Sequence, residues 1–367
     1  MKIVYDSQIF SAQKYGGISR YFCEVASRIS KHNDICVYIT APLYINSYLK
    51  MLPHNIVLGY RISGLGLFKL FSRVLSFLLS YGIMHFIRPD VIHETYFAPF
   101  YLGPSNSKRV ITIHDMIHEK FKSNFSAKDK TSKYKASSVK RADHIICVSE
   151  STRRDVIEIL GVPADKTSVI YHGFSLMNVV SNSEINSIPT DSPFLLYVGN
   201  RGGYKNFSGF LNAYQKSNIL KDTCNLICFG GGDFSKNETS MMQKLDVDRG
   251  KIIQVEGDDT LLSACYKNAV AFIYPSLYEG FGIPPLEAMA HDCPVVCSNT
   301  SSIPEVVGDA GEYFDPACVD SMTSAIEKVV QSNNYREKLI TKGRERIKLF
   351  SWEQCAKQTL EVYKKII

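Results

Sequence analysis

Tryptophan is almost missing from this chain: 367 residues hold one, Trp352, beside 21 tyrosines and 20 phenylalanines. Other absences exclude whole classes. The opening MKIVYDSQIF is a short strand pattern without the basic region and cleavage site of a secretory signal. No GKS/T follows any glycine-rich loop, so there is no Walker A motif, and the paired Gly16-Gly17 is not the GxGxxG dinucleotide fingerprint. Internal repeats and low-complexity tracts are absent. Cys224/Cys228 and Cys293/Cys297 lack His or Cys partners at zinc spacing, which leaves them to the core. Most of the ten cysteines, Cys36, Cys147 and Cys228 among them, sit in apolar runs. That predicts buried, reduced thiols and a cytoplasmic setting.

What is present fits a soluble globular protein, 45% hydrophobic and 21% charged, long enough for two domains. Its charge is uneven. Residues 1–180 hold 23 Lys and Arg against 13 Asp and Glu, a balance of +10, and the remainder balances at −4. The N-terminal half is therefore expected to meet something anionic, either nucleic acid or an anionic membrane surface. No RNA- or DNA-binding motif supports the first.

Apolar runs alternate with helical periodicity along both halves, which predicts an α/β chain of parallel, doubly wound sheets that bind ligands where the strands end. The organising stretch is Tyr274–Glu287, YPSLYEGFGIPPLE. A buried strand runs into the turn Glu279-Gly280-Phe281-Gly282, and Pro284-Pro285 then open a helix. Amides at such a turn and helix start favour an anion, whereas Glu279 and Glu287 would repel phosphate and suit neutral hydroxyls. A second loop, Gly199-Asn-Arg201-Gly-Gly-Tyr-Lys205-Asn206, places two cations on a glycine-rich turn before a helix, a combination suited to a diphosphate. Gly16 and Gly17 end a strand–helix loop near the start, where a backbone can approach a ligand closely. Three N-terminal strands end in His93-Glu94, His114-Asp115 and Ser149-Glu150. His93 and His118 are read as structural, and Ser149, Ser151 and Thr152 as helix-capping residues.

Two further segments bear on the surface. Residues 65–87 are the most apolar, but Lys69 and Arg73 argue against a membrane span. A buried amphipathic helix of the N domain is the favoured reading, with an interfacial helix as the alternative. The run Lys128–Arg141 holds Lys128, Lys130, Lys133, Lys135, Lys140 and Arg141, which reads as a solvated helix face or as a dock for anionic lipid.

Glu279-GFGIPPL-Glu287 resembles the E-x7-E motif of the retaining GT-B glycosyltransferases of family 4, which include bacterial O-antigen and capsule mannosyltransferases. The resemblance extends over nearly the whole chain. It implies two Rossmann-like domains facing each other across a cleft: 1–175 for the acceptor, a linker at 176–193, 194–350 for the nucleotide sugar, and a helix at 351–367 crossing back to the first domain. Arg201 and Lys205 match the element that holds the donor pyrophosphate, Gly16 and Gly17 the loop facing the donor phosphates and acceptor, and His114 the histidine that reaches the transferred sugar. Glu279 with Gly280, Phe281 and Gly282 would hold that sugar, Glu287 the ribose diol, and Val255, Glu256 and Gly257 the nucleobase. Thr300-Ser301-Ser302 would support the phosphate site. The resemblance further implies no cofactor beyond the nucleotide-diphosphate sugar, no metal at the diphosphate, and front-face attack with retention. GDP-mannose is the first expectation for the donor, with a glycan or lipid-linked acceptor. A subunit that binds nucleotide sugars without turnover is the alternative.

Overall fold

The structure, a computed structural model, describes residues 1–62, 69–100, 103–174, 188–190, 192–246 and 248–367. The segment read as a linker lies largely outside the described residues. The chain divides into two compact units, Met1–Gly173 with Ser351–Ile367, and Phe174–Phe350.

Seven strands build the first sheet: β1 (Lys2–Tyr5), β2 (Cys36–Tyr44), β3 (Val57–Arg61), β4 (Val91–Glu94), β5 (Lys108–Ile113), β6 (His144–Cys147) and β7 (Thr167–Val169). Their order is β3-β2-β1-β4-β5-β6-β7, and every neighbouring pair is parallel. Six build the second: β8 (Phe194–Val198), β9 (Asn225–Phe229), β10 (Ile252–Val255), β11 (Ala271–Tyr274), β12 (Val295–Ser298) and β13 (Gly311–Phe314), in the order β10-β9-β8-β11-β12-β13, again all parallel. Central strands such as VIHE, HIIC, AFIY and VVCS are buried at every position. Helices cover both faces of such sheets, so these strands read as continuous apolar runs without alternation. Each sheet reverses its winding once, between β1 and β4 and between β8 and β11. The crevice outside the strand ends at such a reversal is where open α/β sheets take ligands.

The helix Trp352–Ile366 packs on the helix Gly17–Ile29. Trp352, Cys355, Leu360 and Tyr363 are part of the first unit's core.

Three sequence expectations need correction. Cys36 is exposed, because it opens β2 at the rim of the sheet. The segment 65–87, favoured as a buried helix, forms a helix over Lys69–Ile87 whose inward stripe is Ser72, Ser76, Ser80 and Met84; residues 65–68 lie outside the described residues. Ser76 and Ser80 Oγ bond the backbone of β2 and Thr40. The apolar face turns outward instead: Phe71 is 65% exposed, Leu78 59% and Phe86 91%, with Val74 and Tyr81 also exposed. Among the described residues no helix is long and apolar enough to cross a membrane. Lastly, the basic run is not a uniformly solvated face. Lys135 is buried, with Nζ 2.7 Å from Glu119 Oε2 and donating to Asp115 O. Arg141 grips Glu94 with two nitrogens, at 2.8 and 2.5 Å. Lys128, Lys130, Lys133 and Lys140 remain exposed.

Candidate active site

In the second unit the loops after β8 and β11 meet at the reversal. Leu277 N donates to Tyr204 O at 2.8 Å, which ties the two backbones together. Beside this tie Lys205 Nζ donates to Glu279 Oε1 at 2.7 Å. The pair is partly sheltered, with side chains 22% and 10% exposed.

The turn carrying Glu279 is held from below by the hydroxyl series Thr300-Ser301-Ser302 after β12. Thr300 Oγ1 donates to Leu277 O at 3.1 Å, and Ser302 Oγ donates to Glu279 O and Phe281 O at 2.9 and 2.8 Å. Ser301 Oγ accepts from Glu279 N at 2.9 Å. Ser301 itself has φ +53°, and Gly282, at φ +110°, lets the chain turn into the helix Ile283–Ala290. Pro284 and Pro285 stand in the first turn of that helix, where a missing N–H costs least. Phe281 is buried edge-on against Phe350, at 5.8 Å and 79°, so its ring belongs to the core.

Glu287 lies half-buried on the same helix, and Tyr266 OH donates to its Oε2 at 3.4 Å. Glu279 and Glu287 thus have different partners. Val255 ends β10 and accepts from Gly230 N at 2.8 Å, and Glu256 and Gly257 follow it, exposed.

Arg201 departs from the expectation of a cation open to a diphosphate. Its side chain is 2% exposed. Nε donates to Glu238 Oε1 at 2.7 Å, Nη1 to Gly230 O at 2.8 Å, and Nη2 to Gly232 O and Asp233 O at 2.7 and 3.1 Å. The guanidinium also lies 4.7 Å from the Phe234 ring. The turn it cages runs through three glycines of positive φ, Gly230, Gly231 and Gly232, at +76°, +77° and +72°. Only glycine adopts that sequence of conformations cheaply. Sequence reasoning missed Glu238. Its signal was the spelling Ser235-Lys-Asn-Glu238, a capping box in which Ser235 Oγ accepts from Glu238 N and Glu238 Oε2 accepts from Ser235 N.

The chain's one Asp-x-Asp spelling, Asp246-Val247-Asp248, is remote from these loops: Asp248 precedes β10 at the opposite edge of the sheet, and its Oδ1 accepts from Gly250 N at 2.9 Å.

In the first unit, the loop before the helix Gly17–Ile29 is pinned by buried Asn46, whose Nδ2 donates to Gln13 O at 2.9 Å. A Cβ on Gly16 would lie 2.3 Å from Gln13 Oε1, whereas Gly17 faces open space. At the end of β1, Asp6 accepts from Gln8 Nε2 at 2.8 Å and from Thr95 N at 3.2 Å. Burial raises its pKa to about 6. His93 is structural: Nδ1 meets Tyr363 OH at 2.5 Å and Nε2 meets Thr112 Oγ1 at 2.9 Å. Ser149 caps its helix, accepting from Thr152 N at 3.0 Å. His114 follows β5 with its Nδ1 3.4 Å from His172 Nε2. His172, which sequence reasoning passed over, follows β7 in Tyr171-His172-Gly173.

Burial lowers the pKa of all three histidines, to about 3 for His93 and His172 and well below the usual value for His114, where His172, His93 and Lys135 add to the effect. In the unfolded chain they titrate near 6.5. Between these limits the unfolded state binds more protons, so stability is full above about pH 6.5 and falls as pH drops toward 3. Asp6, raised from 3.8 to about 6, acts oppositely across that window, one group against these three and His144, whose pKa burial lowers too. Urea melts at pH 7.5, 6.5 and 5.5 are expected to show declining stability, and a flat profile would refute the buried neutral histidines.

Two parallel sheets of seven and six strands, each reversing its winding once, have the architecture of the GT-B glycosyltransferases. Residues 15–177 match the model described as Glycosyltransferase Family 4, and residues 180–346 that of Glycosyl transferases group 1. The O-antigen chain mannosyltransferase B of Escherichia coli is 33% identical over 284 residues, 72% of this chain and 72% of that protein. The chain belongs to glycosyltransferase family 4. The O-antigen chain mannosyltransferase RfbU of Salmonella typhimurium is 29% identical over 229 residues, 62% of each chain. Anabaena Alr3699/HepE, solved in complex with UDP and glucose, shares the fold at TM-score 0.74 and 16% identity, over 99% of both chains.

Proposed function

We propose that this chain transfers a hexose, with retention, from a nucleotide-diphosphate sugar to a glycan or lipid-linked acceptor in bacterial surface polysaccharide (O-antigen or capsule) synthesis. The observation that carries this reading is the sheltered Lys205–Glu279 pair at the reversal of the second sheet. Lys205 is suited to offset the charge that grows on the leaving diphosphate, which is the largest electrostatic task in such a transfer. Glu279 accepts sugar hydroxyls, and Glu287, held by Tyr266, accepts the ribose diol. Val255–Gly257 border the nucleobase. Arg201 acts on the donor through the Gly230–Asp233 turn it holds. Gly16 and Gly17 admit the phosphates and acceptor at close range, and His114 serves the transferred sugar. No enzymic nucleophile is assigned: a donor phosphate oxygen takes the acceptor proton as the hydroxyl attacks from the leaving-group face. The mannosyltransferase names of the relatives support mannose, and GDP-mannose is the first donor to test.

The test is a thermal-shift screen of nucleotide sugars followed by turnover. A donor at 100 times its dissociation constant stabilises by about 2.7 kcal/mol. Turnover of that donor is expected to survive excess EDTA, because Lys205 supplies the positive charge. Complete loss with EDTA, restored by magnesium or manganese, would sink that part. Binding without transfer or donor hydrolysis would favour a non-catalytic subunit.

The outward apolar face of the helix Lys69–Ile87 supports a peripheral place on the inner membrane surface. The chain is expected to float with anionic liposomes, and Leu78→Ser with Phe86→Ser to reduce the floated fraction at least severalfold. Equal recovery of both proteins in the pellet would return this face to plain solvent.

A further inference from the structure

His114 and His172 leave β5 and β7, separated by one strand, and their rings lie parallel, 7° between planes with centroids 5.3 Å apart. Tyr21 stands edge-on to both, at 5.1 and 4.9 Å. Trp352 flanks His172 at 6.0 Å. The next residue, Gly173, is pressed so closely on the C-terminal helix that a Cβ there would lie 2.2 Å from Trp352 N. Tyr21 and Trp352 thus flank the His172 ring, and the chain just after it is packed closely against the C-terminal helix.

Burial keeps both imidazoles neutral at pH 7. A neutral imidazole has one N–H and one lone pair. The facing nitrogens, His114 Nδ1 and His172 Nε2, are 3.4 Å apart, so one donates and the other accepts. If His114 Nδ1 donates, His114 Nε2 is left as a lone pair. If His172 Nε2 donates, His114 Nε2 carries the proton. His114 Nε2 is itself buried and has no hydrogen-bond partner among the described residues. Whatever meets it must match the protonation that the other nitrogen dictates.

We infer that His172 is a positioning residue for the transfer reaction: its Nε2 holds the His114 ring and couples the tautomer of His114 to its own, which decides whether His114 Nε2 gives or takes the hydrogen bond to a hydroxyl of the transferred sugar. This rests on the proposed place of His114 at that sugar. His172 never touches the sugar itself; it acts through one nitrogen.

Labelling the full chain with 15N-histidine and recording two-bond proton–nitrogen correlations reads the tautomer directly. His114 is expected in one tautomer in the native protein and in a mixture in His172→Phe, which keeps a ring of similar size but no nitrogen. In His172→Gln, whose amide reaches the place of Nε2, one tautomer returns. With the donor found in the screen, His172→Phe is expected to lower kcat about tenfold with the donor KM within about twofold, and His172→Gln to recover to within about threefold of native. An unchanged His114 tautomer in His172→Phe overturns the inference, as do equal kcat losses in both variants that track their melting temperatures. Should His172→Phe not fold, His172→Asn replaces it, since its amide reaches only the place of Nδ1; equal behaviour of Gln and Asn then refutes the role. Full turnover in His114→Ala would instead refute the sugar-facing place of His114, and the tautomer spectra would still decide whether His172 controls it.

Discussion

Lys205→Ala is expected to lower kcat/KM by about 10²–10³, the loss that follows when one preorganised charge partner of a developing anion is removed. Lys205 Nζ sits 2.7 Å from Glu279 and within 6 Å of the Tyr204 and Tyr274 ring centroids, so it is held in place before any ligand arrives. Arg201, the other cation of that loop, is not poised in the same way, because its guanidinium is committed to Glu238 and the glycine turn. Arg201→Ala therefore makes the instructive comparison. It leaves the carbonyls of Gly230 and Gly232 without their donor, at about 1–3 kcal/mol for each buried group, and should lower the melting temperature as well as activity. Steady-state rates with the identified donor, set beside thermal melts, separate the two. Lys205→Ala turning over within threefold of native would remove the charge-offset role.

Trp352→Ala is expected to destabilise the first unit by about 3–5 kcal/mol, the usual cost of deleting a buried indole. For a unit of this size that lowers the melting midpoint by about 10 °C. Trp352 is 3% exposed and lies against Tyr21 and His172. Its Nε1 has no hydrogen-bond partner among the described residues, so Trp352→Phe forfeits no hydrogen bond and should cost far less, about 1–2 kcal/mol. Calorimetry on both variants checks this. Similar losses in the two would mean that the indole nitrogen, not the ring volume, does the stabilising.

The fold was legible because parallel strands buried on both faces spell continuous apolar runs, and runs such as VAFIYPS and FLLYVGN stand where β11 and β8 stand. Lys205 and Glu279 were legible as separate candidates, since both follow strand ends and a doubly wound sheet gathers those ends at one edge; that they pair is seen only in the structure. Three features were not legible. The Arg201 cage depends on a turn from β9 that only three-dimensional proximity brings to it. The role of His172 depends on β7 lying one strand away from β5. The helix Lys69–Ile87 was misjudged because composition weighs an apolar helix as buried, whereas the side that packs is decided by periodicity. Serines recur at every fourth position from Ser72 to Ser80, and they take the inward face because the backbone of β2 and Thr40 offer partners there.

The helix over Trp352–Ile366 has a consequence for biosynthesis. Residues 1–173 leave the ribosome first, yet their core lacks Trp352, Leu360 and Tyr363 until the entire second unit has been made. The core of Phe174–Phe350, from Leu195 to Leu339, is drawn from its own span and can close while translation continues. The unit begun first is thus completed last. During that interval its unfilled seam beside the helix Gly17–Ile29 is the surface on which a chaperone, or a neighbouring nascent chain, would settle.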